Sequence, residues 1–371
     1  MKSFSQMGLL HSIQTTLKEQ KLLKPTDIQF RTIPLLLEGR SVVGVAETGG
    51  GKTLAYSLPI LHLLKSMEDE GKPVKGEALP RALIVVPTRE LGEQVSKVFK
   101  TFTHATRLRV RTVLGGTTME VARRNIKGPF EVLVATPGRL VQMIDKKLIR
   151  LDDIRVLVFD EVDQMLEQGF LDDVKRLVGE SPGDRQMALF SATVSKSVQE
   201  LIEQLFDNAE LIQSQGSHRI VNTLTTDNRK IKNGKRFPVL EKVLSTPIEG
   251  GTLIFTNTRE QCDKLAAELK ESGRECAIYR GEMDKIERRA NLNAFRAAAE
   301  GILVSTDLAS RGLDVEHVSR VINYHLPQQI ENYIHRVGRT ARAGREGLVI
   351  NFVTERDASL MKEVQKISKP S

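Results

Sequence analysis

Short apolar runs punctuate the chain, at 42–46, 82–86, 132–135, 156–159 and 187–190, then at 252–255, 276–279, 302–304, 321–324 and 348–353. They are nearly continuous rather than alternating, which is how strands buried on both faces read. Helical spacing fills the gaps, with Leu91, Val95, Val98, Phe99 and Phe102 in one, Leu201, Ile202 and Leu205 in another, and Leu265, Ala266 and Leu269 in a third. Strand and helix in alternation predict parallel sheets covered by helices, an α/β fold. A length of 371 residues favours two such cores. The rhythm breaks at QSQGSHR, 213–219, so the expected domains are 1–212 and 220–371 with a short linker at 213–219. A basic stretch follows, Arg229, Lys230, Lys232, Lys235 and Arg236. Its first reading is a solvated loop, with an RNA-facing patch as the alternative.

The segment AETGGGKT, 46–53, lies between an apolar run and a helical pattern. Gly49, Gly50 and Gly51, with Thr48 in the same loop, let the backbone curl so that several N–H groups point at one spot. The helix that starts there adds positive potential. Lys52 can reach the β- and γ-phosphates of a nucleotide, and Thr53 offers a hydroxyl to Mg²⁺. Ala46 stands where the strict pattern has glycine. Asp160 follows the run 156–159 and should emerge at a strand's carboxyl end, where ligands bind in open parallel sheets. It is the candidate Mg²⁺ acid. Its neighbour Glu161 is placed to orient or deprotonate an attacking water. ATP and Mg²⁺ are therefore the expected cofactors.

Composition narrows the partners. The formal net charge is +8, which fits either a solvated basic surface or a polyanion partner. Tryptophan is absent and aromatics are 5%, which argues against a large stacking platform for bases. Cys262 and Cys276 are the only cysteines and read as reduced thiols. The seven histidines show no metal-ligand spacing, so the one metal expected is the one ATP brings. No apolar run reaches membrane-span length and the first residues lack a signal-peptide layout, so cytoplasm and no membrane partner are expected.

Taken together and in order, these segments resemble the DEAD-box RNA helicases over nearly the whole chain. The resemblance implies two tandem RecA-like domains and RNA-stimulated ATP hydrolysis. KPTDIQ, 24–29, is similar to the family's adenine-reading motif. It makes Gln29 the adenine reader, with Phe4 as the upstream aromatic and Leu22 in place of the usual Phe. The naming motif reads Asp160-Glu161-Val162-Asp163, with Val162 for alanine. Asp163 is expected to link to Ser191 or His335. SAT, Ser191 to Thr193, matches the coupling motif. Ser197 and Glu200 beyond it have capping-box spacing and read as structural.

For RNA, the resemblance points to Pro87, Thr88 and Arg89, to Gly115 and Gly116, and to Thr136, Pro137 and Arg139 in the first half. In the second half it points to Asn257, Thr258, Arg259, Gly281, Arg288 and Thr306. Such groups meet sugar and phosphate and position a strand without reading it. The helix near Arg139 would bend the bound strand. Arg280 and Lys285 replace the family's His and Gln. Asp314 is the candidate for the ATP ribose. Arg339 and Arg342 match the arginines that reach the γ-phosphate, with Ala341 for a frequent glycine, a change that reads as mild.

The implied mechanism has ATP and RNA each favouring closure of the two domains, so the two ligands are reciprocally coupled. An arginine finger is worth roughly 10³ or more in rate, which leaves the open enzyme nearly idle. Unwinding is then local and weakly processive, by a chain expected to act as a monomer. Two other functions remain open at this stage: an ATP-gated RNA clamp that serves as an assembly platform, and a DNA-directed ATPase of the wider superfamily.

Overall fold

A computed structural model describes residues 3–47, 49–74, 76–206, 208–214, 224–281, 283–307, 315, 317–341 and 346–368. The chain divides into two compact units, Met1–Ser217 and His218–Ser371. The expected linker begins inside the last strand of the first unit, at Gln213, and its residues 215–219 lie outside the described residues.

The first unit is built on β1 (Val42–Val45), β2 (Ala82–Val85), β3 (Val110–Val113), β4 (Val132–Ala135), β5 (Val156–Phe159), β6 (Gln186–Ser191) and β7 (Glu210–Gln213). Among the described residues these form one sheet in the order β3-β4-β2-β5-β6-β1-β7, and every pairing is parallel. Successive residues of the central strands go to opposite faces, and both faces are covered. Val42, Ile84, Val134, Val158 and Phe190 pack with helices His11–Glu19, Asp27–Leu37, Lys52–Asp69 and Arg89–Thr106. Val43, Leu83, Leu133, Leu157 and Leu189 pack with helices Pro137–Asp145, Val162–Glu167, Leu171–Gly179 and Lys196–Leu205. Each such side chain contributes roughly 1.5–3 kcal/mol on burial, which is why these runs hold hardly a polar residue.

The second unit repeats the plan with β8 (Leu224–Lys230), β9 (Gly251–Thr256), β10 (Ala277–Tyr279), β11 (Ile302–Thr306), β12 (Val318–Asn323) and β13 (Gly347–Val353). Their order among the described residues is β10-β11-β9-β12-β13-β8, again all parallel. Helices Phe237–Leu244 and Arg259–Glu271 cover one face. Helices Lys285–Ala297, Ile330–Val337 and Ala358–Ser368 cover the other.

Three strands have no counterpart among the apolar runs: β3, β7 and β8. All three are sheet edges, where part of the strand faces solvent and polar residues are tolerated. Arg229 and Lys230 therefore belong to edge strand β8, not to a solvated loop. The helix after the SAT segment is also capped elsewhere than expected. It spans Lys196–Leu205, and the Ser195 hydroxyl, not that of Ser197, accepts the Val198 N–H. Ser197 Oγ lies 3.0 Å from Ser195 Oγ.

Candidate active site

Because each sheet is parallel, the segments that follow its strands gather at one edge. In the first unit the loop after β1 curls through Gly49 and Gly51 at φ of 87° and 90°, a region that favours glycine. Helix Lys52–Asp69 starts directly behind it. Thr48 lies outside the described residues. The Lys52 ammonium is buried and donates to the Ala46 carbonyl at 2.8 Å. Gln29 clamps the loop from the side: its Oε1 accepts the Thr26 N–H at 2.9 Å and its Nε2 donates to the Gly51 carbonyl at 3.0 Å. Thr26 Oγ1 donates to the Gly50 carbonyl. A Cβ on Gly51 would come within 2.4 Å of Gln29 Nε2, so that glycine is required twice, for its φ and for the clamp. Phe4 is packed into the core of the first unit.

Asp160 emerges after β5, almost wholly buried. Tyr56, on the helix behind the glycine loop, donates its hydroxyl to Asp160 Oδ2 at 2.8 Å, and the Glu161 N–H donates to Oδ1 at 3.0 Å. Burial pushes the Asp160 carboxyl up to about 6; Lys52 pulls it back, Glu161 adds to the rise, and the bonds from Tyr56 and the Glu161 N–H pull it down. Burial, and then the Asp160 carboxylate, hold the Tyr56 phenol well above its usual range. Glu161 sits at φ 54°, ψ 51°, left-handed for a residue with a side chain. That conformation costs roughly 1–2 kcal/mol, the kind of strain that gathers at functional sites.

Asp163 Oδ2 accepts from the N–H groups of Ala192 and Thr193 at 3.2 and 3.1 Å and from Thr193 Oγ1 at 3.0 Å. Ser191 Oγ instead donates to the Thr193 carbonyl at 2.7 Å. The sequence leads one to expect Asp163 to link to Ser191 or His335; within the SAT segment its bonds go instead to Ala192 and Thr193.

Three further segments meet after β2, β3 and β4. Arg89 Nη1 donates to the Gly116 carbonyl at 3.2 Å, Thr136 Oγ1 accepts the Gly115 N–H at 2.9 Å, and Arg139 Nη2 donates to the Thr117 carbonyl at 2.7 Å. Thr88 caps helix Arg89–Thr106, Pro137 opens helix Pro137–Asp145, and Gly116 has φ 71°. Segments far apart in sequence become one surface of N–H groups, hydroxyls and guanidinium groups.

In the second unit Arg336, which the sequence reading gave no role, is the hub. It is 1% exposed. Its guanidinium grips Asp307 with two bonds of 2.5 and 2.7 Å, and also donates to Asn257 Oδ1, Asn323 Oδ1 and the His325 carbonyl. Asn323 in turn bonds Asn351, which reaches Asn228 and Tyr333. Asn257 is thereby fixed beside Thr258, the cap of helix Arg259–Glu271. Arg288 stacks 5.8 Å from the Tyr279 ring, near Gly281, and Thr306 ends β11. Arg280 is tied to Asp263 at 2.6 Å. His335 lies on helix Ile330–Val337, and Arg339, just beyond it, is buried. Arg342 and Asp314 lie outside the described residues. Ala341 has φ 57°, so the missing glycine is less mild than its size suggests.

Tyr56 is the other residue the sequence reading missed. Only its place one helical turn after Thr53 could have flagged it.

Two family models match the chain: DEAD/DEAH box helicase over residues 26–230 and helicase conserved C-terminal domain over residues 235–344. The chain is 34% identical over 369 residues to the ATP-dependent RNA helicase CshA of Listeria monocytogenes, covering 100% of itself and 69% of that protein. It is 36% identical over 365 residues to the DEAD-box ATP-dependent RNA helicase RhpA of Helicobacter pylori, covering 98% and 72%. Among solved structures, S. cerevisiae Dbp5 bound to RNA and ADP BeF3 superposes with a TM-score of 0.88 at 31% identity, over 99% of this chain and 93% of that one.

Proposed function

We propose a division of labour for a chain that belongs to the DEAD/DEAH box helicase family and is an ATP-dependent RNA helicase of the DEAD-box type: the first unit holds ATP, and the second completes the reaction centre. Asp160-Glu161-Val162-Asp163 is its naming motif, with valine in the third place. The observation that carries the reading is the buried cluster of Lys52 and Asp160 behind a glycine loop that Gln29 clamps.

A carboxamide has two N–H donors and two lone-pair sites on its oxygen, so Gln29 keeps one of each for the adenine edge while holding the loop. Lys52 offers its charge to the β- and γ-phosphates, and the loop N–H groups share the rest of the cradle. Mg²⁺ fits this donor set. Among the described residues no three His, Cys, Asp or Glu side chains gather, and one buried carboxylate with a nearby hydroxyl suits an ion that arrives with phosphate oxygens and water. Asp160 and Thr53 would hold it, and the ion would neutralise developing phosphate charge. Glu161 orients the attacking water and takes its proton. Arg339 and Arg342 supply charge to the γ-phosphate on closure, and Asp314 meets the ribose. Asp163, Ser191, Thr193 and His335 couple the nucleotide to RNA.

RNA lies along the surface of Arg89, Gly115, Gly116, Thr136 and Arg139, and along Asn257, Thr258, Arg259, Gly281, Arg288 and Thr306. These contacts go to sugar and phosphate, so affinity falls steeply with salt and hardly depends on sequence. No helix of the described residues is long and apolar enough to cross a membrane. We place the protein in the cytoplasm as a monomer.

The test is ATP turnover of the full chain with and without RNA, alongside displacement of a short RNA strand. RNA should stimulate turnover, DNA should not, and Lys52→Ala should abolish it. Equal stimulation by DNA rejects the RNA assignment. Glu161→Gln should bind ATP and RNA while turnover falls about 10²–10⁴-fold, and unimpaired turnover rejects Glu161 as the base.

A further inference from the structure

Outside the nucleotide and RNA segments proposed above, where the basic stretch ends at Lys235 and Arg236, the second unit has a cavity of about 330 Å³ at the amino end of helix Phe237–Leu244. Lys235, Arg236, Lys264, Glu268, Tyr324 and His325 line it. Three cations thus face one carboxylate, and that carboxylate leans toward Lys264 at 4.0 Å. Two of the lining residues hold buried polar atoms with no hydrogen-bond partner among the described residues: Arg236 Nε and His325 Nδ1. An orphaned buried polar atom costs roughly 1–3 kcal/mol, and native proteins keep few of them.

Both orphans want the same partner. The guanidinium Nε–H can only donate, and an imidazole donates from Nδ1 when its proton sits there. An oxyanion satisfies both. The helix that begins at Phe237 has no side-chain cap, and its dipole adds positive potential at the cavity, although Pro238 carries no N–H and the Val239 N–H is already bonded to the Arg236 carbonyl. Burial first, and then the charges of Arg236 and Arg336, hold the His325 imidazole down to about 4, with Asp357 pulling the other way. Tyr324 closes one wall, its ring 5.1 Å edge-on from that of His325.

We infer that this cavity is a phosphate-binding site, gripping a phosphate group through Arg236 and His325, with Lys235 at the rim. Its ligand is either a backbone phosphate of bound RNA or a small free phosphate. The inference does not depend on the ATP reaction of the first unit.

The test uses the full chain with Lys52→Ala, so that the nucleotide cradle does not compete. Inorganic phosphate is titrated at constant ionic strength, with chloride as the control, while the His325 ring is followed by NMR. Its signal, identified through His325→Gln, should shift saturably and its titration midpoint should rise. Arg236→Gln should weaken the response at least tenfold. Lys235→Gln, which leaves Arg236 and His325 in place, should weaken it several-fold, and keeps the test valid if Arg236→Gln unfolds. With Lys52 intact, the salt dependence of RNA affinity then separates the sources. If an RNA phosphate sits here, Arg236→Gln lowers the slope of log affinity against log salt by about 0.7. If that slope is unchanged while phosphate still shifts His325, the ligand is a free phosphate. The absence of a saturable shift together with an unchanged slope overturns the site, as does a shift that survives Arg236→Gln and Lys235→Gln unaltered.

Discussion

Asp160 in the first unit and Arg336 in the second are almost equally buried, at 2% and 1% exposure, yet their surroundings treat the charge differently. Asp160 receives two hydrogen bonds and one nearby ammonium, and its carboxyl still rises to about 6. Arg336 is saturated by a bidentate carboxylate, two carboxamides and a carbonyl, with the Phe255 ring 5.0 Å from its guanidinium carbon. The first unit leaves part of its electrostatic demand to a ligand. The second neutralises its own charge and uses the result as scaffolding, fixing Asn257 and the helix that leads to Arg339. In the function proposed above, a reaction centre that draws on an incoming cation and a binding surface that must be preformed call for these two opposite solutions.

The largest expected effect tests the scaffolding side. Arg336→Ala removes two charge-assisted bonds from Asp307 and one each from Asn257 and Asn323 in one step. Breaking a buried pair this way costs roughly 3–5 kcal/mol, and urea unfolding should show that loss. A cost below about 1 kcal/mol would mean that Arg336 holds nothing together.

Next comes pH, where the contrast predicts slopes of opposite sign. Asp160 is raised on folding, so its protonated form is the one the fold prefers. Its contribution is greatest below the ordinary 3.8 and is lost as pH climbs to about 6, a change of about 3 kcal/mol at 1.36 kcal/mol per unit. Without Mg²⁺ and nucleotide, Asp160→Asn should therefore gain on the wild type as pH rises through that window. His325, in the second unit, is lowered on folding from 6.5 to about 4. Its contribution is present above 6.5 and is lost as pH falls toward 4, and His325→Gln should flatten that limb. Melting curves across pH 4–7 for both variants read the two signs. If both slopes run the same way, the contrast between the units is wrong.

Tyr56→Phe is smaller and more local. A hydrogen bond to a charged group is worth roughly 1.5–3 kcal/mol, and this one fixes how Asp160 is turned. The Mg²⁺ concentration needed for half-maximal nucleotide binding should rise several-fold, while binding measured in chelator stays unchanged. Equal loss with and without Mg²⁺ would assign Tyr56 to packing alone, which its ring, 5.3 Å from Phe190, could also explain.

How much of this was legible beforehand follows from where each residue sits. The central strands were readable because burial on both faces excludes polar residues; edge strands β3, β7 and β8 were not, because one side of each is free to carry them. The glycine loop, Lys52 and Asp160 were readable because phosphate chemistry fixes residue types at fixed spacing. Tyr56 and Arg336 were not, because their importance lies in partners 104 and up to 79 positions away. Ser195 outcompeted Ser197 as a cap because the helix starts one residue after it, a boundary the capping spacing alone does not decide.

The smallest effect compares the two left-handed residues beside the reaction machinery. Glu161 at φ 54° and Ala341 at φ 57° both carry a Cβ where glycine would be at ease. At Glu161 the carboxylate justifies the strain, since glycine there would remove the proposed base. At Ala341 a methyl group offers no such return. Left-handed geometry costs roughly 1–2 kcal/mol in a residue with a Cβ, and the extra freedom of glycine in the unfolded chain takes back roughly 0.4–1 kcal/mol. Ala341→Gly should therefore stabilise the second unit by up to about 1.5 kcal/mol, visible as a rise of a few degrees in its melting temperature. Glu161→Gly should gain a similar amount in the first unit while turnover collapses. If Ala341→Gly instead destabilises, Ala341 is held by packing that repays its backbone, and the strain in the two units has different origins.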